Sequence, residues 1–387
     1  MKVLILFITV LISYSVFAQD STQIYSYLKQ SKEALKKSDV ANSLQFAHQA
    51  LTLSTQKQNP KGIANANHQL AFIFESQSNY DSANHYLNQS LAISEKYQLK
   101  NELAAAHNLI GLVLWHQSEY KEALPHHAIS LSLFQETKNQ KGLADTYAKT
   151  GNVFYDLSDF PKALENFLQG LKTYGNIKDS AGIADVCNYI GKVYNRLNEK
   201  ESAKKYLFKA LSLHQRLQNN RGIATSYNGL GNVFMDNHDV IKALKFFEKS
   251  KDFHTLGGDQ IGISVAHINI GTIYDMMSSL SEDSLTIVAA NINYKSKAPI
   301  KQSILDSAKL YFQGSIIINS RVGNQFGLVY GYNGIGDVLV KQSRYKEAIP
   351  QFEKAYVVSK ELNAVSEQYE SAKRLATCFE MINNKDS

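Results

Sequence analysis

From Thr150 to Gly170 the apolar and small residues follow one face of a helix, break, and begin again. Thr150 and Phe154 flank Gly151, Asp159 and Pro161 mark a turn, and Phe160 opens a second pattern that Ala163, Phe167 and Gly170 continue at i, i+4 and i+7. Proline is tolerated in a helix's first turn, where its missing N–H is not needed. The spacing therefore predicts two helices joined by a short turn. That unit recurs along the chain: Gly111, Gly151, Gly191, Gly231 and Gly271 are 40 residues apart, and Gly142, Gly182, Gly222 and Gly262 keep the same period. So do Ala83, Ala123, Ala163, Ala203 and Ala243. A fixed period of this length marks a repeat array. Some repeats carry an apparent penalty. In "RGIATSYNGLGNVF", Arg221 to Phe234, Gly229 and Gly231 both fall inside a helix, where each Gly costs roughly 0.5 to 1 kcal/mol relative to Ala. Close crossing of two helices at Gly231 would offset that cost, whereas the sequence offers no equal reason for Gly229.

The order of an aromatic or polar residue, an apolar residue, Gly, an aromatic, and then Ala twelve after the Gly resembles the tetratricopeptide repeat (TPR). Tyr227, Leu230, Gly231, Phe234, Ala243, Phe247 and Ser250 fill the signature positions in one copy. Tyr332, Ile335, Gly336, Leu339, Ala348, Phe352 and Ala355 fill them in another. The usual TPR period is 34 residues. Here the Gly-to-Ala spacing is unchanged, which puts the six extra residues in the second helix or the loop after it, as in the longer repeats of kinesin light chains. "YKEALP" (Tyr120 to Pro125) and "YKEAIP" (Tyr345 to Pro350) look like that subgroup. The resemblance implies an all-α, right-handed superhelical solenoid of about eight helix pairs plus one terminal helix, spanning residues 19–387.

Two features interrupt the register. After Gly271 the next matching glycine is Gly336, and the matching alanine moves to Ala308, so 25 residues are inserted within 278–304. Read as a surface loop, the insertion is dispensable for folding. Read as a docking element it is functional, since long loops often are, and its apolar middle, Leu285 to Ile292, keeps that reading open. Helix pairs run from a degenerate copy near Ile24 to Ser54 as far as about Leu362, and a lone first-type helix follows over Val365 to Ile382, with Ala376 at the Gly position. The final "NKDS" resembles the second-helix starts "YDSA" (Tyr80 to Ala83) and "LDSA" (Leu305 to Ala308). This favours a fragment of a longer protein over the purpose-built cap that solenoids require.

Residues 1–18 read as a secretory signal peptide, with one cationic residue, Lys2, an apolar run from Val3 to Ile12, and Val16 and Ala18 before the cleavage point. The run is too short for a membrane anchor, and no later stretch could span a membrane, so the expected product is exported to the periplasm or secreted. Composition adds little: 44% hydrophobic and 20% charged residues are ordinary for a soluble protein with ample core. The net charge of +6 is small and interspersed, which argues against nucleic acid as a partner. Cys187 and Cys378 fall on first helices of distant repeats, too far apart to bridge.

Chemistry is sparse. "GLGNVF" and "GIGDVL" approach the dinucleotide fingerprint, but each lacks the third Gly, follows no strand and sits in mid-helix. His107, His116, His126 and His127 crowd one repeat, yet His107 and His127 occupy packing positions and no carboxylate or Cys completes a metal set. Nothing pairs a nucleophile with a base, so neither catalysis nor a cofactor is expected. There remains the groove. The TPR resemblance implies that residues three before and one after the signature Gly face a concave surface. Asn108, Asn188, Asn228 and Asn333 hold the first position, and Asn152, Lys192, Asn232 and Asp337 the second. Asn can donate to and accept from a peptide group at once, so a ladder of them would hold an extended peptide by its backbone. The alternative is that they cross-link neighbouring repeats. Ala148, Leu112 and Ile268 break the ladder, and the Lys-rich clamp with which some TPR proteins grip a terminal carboxylate is not reproduced. Trp115 and Tyr155, four residues after a signature Gly, would join the same face. The functional expectation is an exported, non-enzymatic scaffold for a peptide or protein segment. The alternative is the sensory ectodomain of a bacterial signalling protein, because long TPR arrays behind a signal peptide are similar to those preceding a histidine kinase, cyclase or DNA-binding output domain.

Overall fold

The computed structural model describes residues 21–37, 39–292, 294 and 299–383. The signal peptide expected at 1–18 and the terminal "NKDS" lie outside the described residues. Among the described residues there are eighteen helices and no strand. They pair in chain order: α1 (21–36) with α2 (Val40–Gln56), α3 (Pro60–Ser76) with α4 (Tyr80–Lys96), α5 (Lys100–His116) with α6 (Tyr120–Glu136), and α7 (Gln140–Asp156) with α8 (Phe160–Asn176). Next come α9 (Ser180–Arg196) with α10 (Lys200–Arg216), α11 (Asn220–Asp236) with α12 (Val240–Leu256), and α13 (Gln260–Met277), then an additional helix α14 (Glu282–Asn291) before α15 (Ile300–Val322). The series closes with α16 (Gln325–Lys341), α17 (Tyr345–Glu361) and the unpaired α18 (Val365–Asn383).

The period of 40 has a local cause. Regular helices are 17 residues long and the turns between them three, so the chain reverses every 20 residues. In the described three-residue turns between regular helices the middle residue has positive φ, as at Gln58, Ser78, Lys138, Gln218 and His238, the left-handed step that commonly ends a helix. The next residue is often an Asn or Asp whose side chain accepts from the backbone N–H three residues on: Asn59 from Gly62, Asn139 from Gly142, Asn219 from Gly222 and Asp259 from Gly262. Two 17-residue helices and two three-residue turns together make the 40-residue period.

The chain divides into two compact units, one ending at Val186 and one beginning at Cys187, with the division inside α9. In the first, each helix from α2 to α8 packs on the next, with Ala83, Ala123 and Ala163 fully buried at the crossings. The second unit repeats this through α10, α11, α12, α13, α15, α16, α17 and α18, burying Ala203, Ala243, Ala308 and Ala348. Cys187 and Cys378 are both free and buried, and burial pushes the Cys187 thiol up to about 11. No described helix is long and apolar enough to cross a membrane.

Both glycines of "NGLGNVF" acquire a reason here. A Cβ on Gly231 would sit 2.5 Å from the ring of Phe247 on α12, and a Cβ on Gly229 would sit 2.6 Å from Leu207 on α10. The pair clears the second helix on each side, one ahead and one behind. Gly334 and Gly336 do the same against Phe312 and Phe352.

The insertion is more than a loop. α14 places Leu285, only 2% exposed, in the core formed by Met277, Ile304 and Leu305, and also buries Ala289, and Tyr294 donates its hydroxyl to the Ser303 carbonyl at 2.7 Å. The surface-loop reading is replaced by a packed element, because an apolar helix beside a core gains more by burial than by solvation. Leu285→Ala is expected to destabilise the second unit by about 2 to 4 kcal/mol. An unchanged denaturation midpoint would return the segment to the status of a dispensable loop.

Candidate functional site

The structure separates the two classes of groove residue. Three residues before the signature Gly, three of the four side chains reach the neighbouring first helix. Asn188 is buried, accepting from Ser226 at 2.8 Å and lying 3.3 Å from His214. Asn333 is buried and exchanges hydrogen bonds with Ser371, its amide donating at 3.1 Å and its oxygen accepting at 3.2 Å. Asn228 is half-buried and accepts from Asn269 at 2.7 Å, while Asn108 is buried with its Oδ1 unpartnered. The i+38 spacing of Asn188 to Ser226 and of Asn333 to Ser371 joins successive repeats, as the cross-linking alternative holds.

One residue after the Gly the side chains stay reachable. Asn152, Lys192, Asn232 and Asp337 are all half-buried. Lys192 lies 5.6 Å from the Tyr189 ring centre, and Asp337 accepts from Arg374 at 3.0 and 3.2 Å. Trp115 donates to Asp156 on the next first helix at 2.6 Å, and the Tyr155 ring meets Phe160 edge-on.

The second unit has a cavity of about 350 Å³ between α13, α16 and α18, with Phe312 of α15 also lining it. Asn333 and Asp337 belong to it, together with four charged residues that the sequence reading missed: Asp275, Glu367, Glu370 and Arg374. Asp275 lies four residues after Gly271, the offset that nominates Trp115 and Tyr155, so that register did contain the signal. Glu367, Glu370 and Arg374 had none, because α18 carries no signature Gly. Burial raises the Asp337 carboxyl above the ordinary carboxylate range despite the opposing pull of Arg374. Burial, with Glu367 as the nearest charge, also raises the Tyr330 phenol.

The histidines of the first unit form a separate group. His127 is fully buried against Gly111, in the slot that Phe167, Leu207, Phe247 and Phe352 fill in other repeats. His107 and His126 meet Nδ1 to Nδ1 at 2.9 Å with ring centres 5.2 Å apart. Their nitrogens thus point at one another, a geometry for sharing one proton and not for converging on a third atom. Among the described residues no group of three or more His, Cys, Asp or Glu is arranged to hold a metal ion.

Family models for the tetratricopeptide repeat match residues 102–176 and 184–215. The matched segments are tetratricopeptide repeats. Among solved structures, a Rap protein complexed with competence and sporulation factor is 13% identical, over 95% of this chain and 99% of that one, with a TM-score of 0.61. The TPR-sensor STAND signal-transduction ATPase from Pyrococcus horikoshii is 12% identical over 90% of this chain and 55% of that one, with a TM-score of 0.54. A TPR protein from Parabacteroides merdae is 14% identical over 82% and 98%, with a TM-score of 0.51. At these identities the likeness is one of fold. No curated protein matches the sequence. The TPR array is a scaffold of the protein-interaction kind, and what it carries has to be argued from its own side chains.

Proposed function

We propose that this TPR protein is exported and binds an extended peptide or protein segment, without catalysis, along the first helices of its repeats. The observation that supports this reading is the cavity on the first-helix side of the second unit, where charged, amide and aromatic groups converge beside apolar surface. The residues one after the signature Gly carry the contact in this reading, since the more buried Asn188 and Asn333 hydrogen-bond between helices. The neighbour solved with a bound competence and sporulation factor shows that an array of this fold can hold such a factor.

The test uses the chain recovered from the exported fraction, whose first residue should be Gln19 if residues 1–18 are removed. A peptide array identifies binders. Lys192→Ala combined with Asn232→Ala should then weaken a selected peptide about tenfold, near 1.4 kcal/mol for two contacts that each replace bonds to water. Lys245→Ala, an exposed residue on α12, should leave affinity unchanged. If the double variant folds and binds as tightly as that control, the first-helix face is not the binding surface.

A further inference from the structure

α18 buries one side and leaves the other bare. Val365, Tyr369, Ala372, Ala376 and Phe379 follow one another at spacings of four, three, four and three, the heptad seam of a helix that pairs with another helix. Val365 is 74% exposed, Tyr369 65% and Phe379 51%, and Ala376 is exposed between them. The equivalent residues of α16, 40 earlier in the chain, are Val329, Gly336 and Leu339, and all three are buried where α17 packs on that helix. α18 itself packs on α17 and touches α16, with Ser371 and Cys378 buried on that side. An apolar stripe of this length left in water marks an interaction surface.

The flanks of the seam say what covers it. On one edge stand Lys373 and Glu380, both exposed, seven residues apart and without an ion pair among the described residues. On the other edge stand Leu375 and Ile382, half-buried and again seven apart. Laid antiparallel on itself about a two-fold axis near Thr377, the helix matches its own flanks. Each Lys373 comes beside Glu380 of the other copy, each Leu375 comes beside Ile382, and each Phe379 ring lies over the small Ala376. A parallel pair would instead face Lys373 with Gln368 and Glu380 with Leu375, leaving both charges unanswered. We propose that the outer face of α18 is where two copies of this chain associate, helix against antiparallel helix. Glu367 and Arg374, which line the cavity, lie on the opposite side of α18, so the dimer carries two open grooves.

The test follows the full chain by sedimentation velocity over a dilution series. It should be dimeric at about 100 μM and dissociate towards about 1 μM, the affinity range of a small interface. Phe379→Glu should weaken association at least about tenfold without changing helicity, since that ring already stands in solvent. Lys373→Glu should weaken it several-fold, and less so at high salt, by setting like charges beside one another twice. Adding Glu380→Lys to Lys373→Glu exchanges the two charges and should restore the original dissociation constant to within about threefold. Lys245→Glu, at an exposed position of α12, should change nothing. A chain that stays monomeric at about 100 μM overturns the assignment, and this is the result expected if a helix of another kind takes the seam. A dimer indifferent to Phe379→Glu, or a charge-exchanged variant no tighter than Lys373→Glu alone, overturns it as well.

Discussion

Between pH 6.5 and about pH 3 the first unit is expected to lose about 1.4 kcal/mol of stability for each pH unit through His127 alone, or about 3 kcal/mol by pH 4.5. Burial lowers this imidazole to about 3, with repulsion from Lys149 and His126 adding to it. The unfolded chain takes up the proton near the ordinary value of 6.5, whereas the folded chain does not until about 3. The stabilisation is therefore complete above pH 6.5 and is lost as pH falls towards 3. His68, lowered to about 4 by burial and by Lys149 and Lys32, acts in the same direction. Neither ring nitrogen of His127 has a partner, and Phe167, Phe247 and Phe352 fill this slot in three other repeats. His127→Phe should thus raise the melting temperature at pH 5 and flatten its dependence on pH. Equal slopes for the two proteins between pH 7 and pH 4 would show that His127 is solvated or partnered in solution.

Gly231→Leu is expected to destabilise the second unit by about 2 to 4 kcal/mol, because the added side chain must displace the rigid ring of Phe247. Gly231→Ala is the sharper test of cause. Alanine gains roughly 0.5 to 1 kcal/mol of helix propensity, yet its Cβ would stand 2.5 Å from that ring, so the melting temperature should fall despite the gain. Gly229→Ala should cost less than Gly231→Ala, because the atom its Cβ meets is a terminal methyl of Leu207, which can turn away as a ring cannot. Gly175 in α8 supplies the opposite sign: a Cβ there meets nothing within 4 Å, and Gly175→Ala should stabilise by the propensity difference alone. If all three alanine variants stabilise equally, helix crossing does not explain the glycines.

The sequence by itself determined the repeat. Its period fixed the helix pairs, the signature Ala positions and the family, because each copy must bury the same small residues at the same crossings and so writes the same pattern each time. Even the place of the insertion was legible from the jump between Gly271 and Gly336. Only the tertiary structure decided what contacts between copies determine. Gly229 looked idle until Leu207, from the preceding second helix, came to lie over it. Asn188 and Asn333 matched groove positions by register, yet small hydroxyl partners 38 residues on, Ser226 and Ser371, give their amides neighbours inside the array. Leu285 read as part of an apolar run whose face was unknown until α14 turned it onto Met277 and Leu305. The cavity lay furthest from the sequence, since Asp275, Asp337 and Glu367 come from three helices and periodicity records only what every repeat shares. A charge used by one copy leaves no period, so it is the packing of α13, α16 and α18 that brings those carboxylates together.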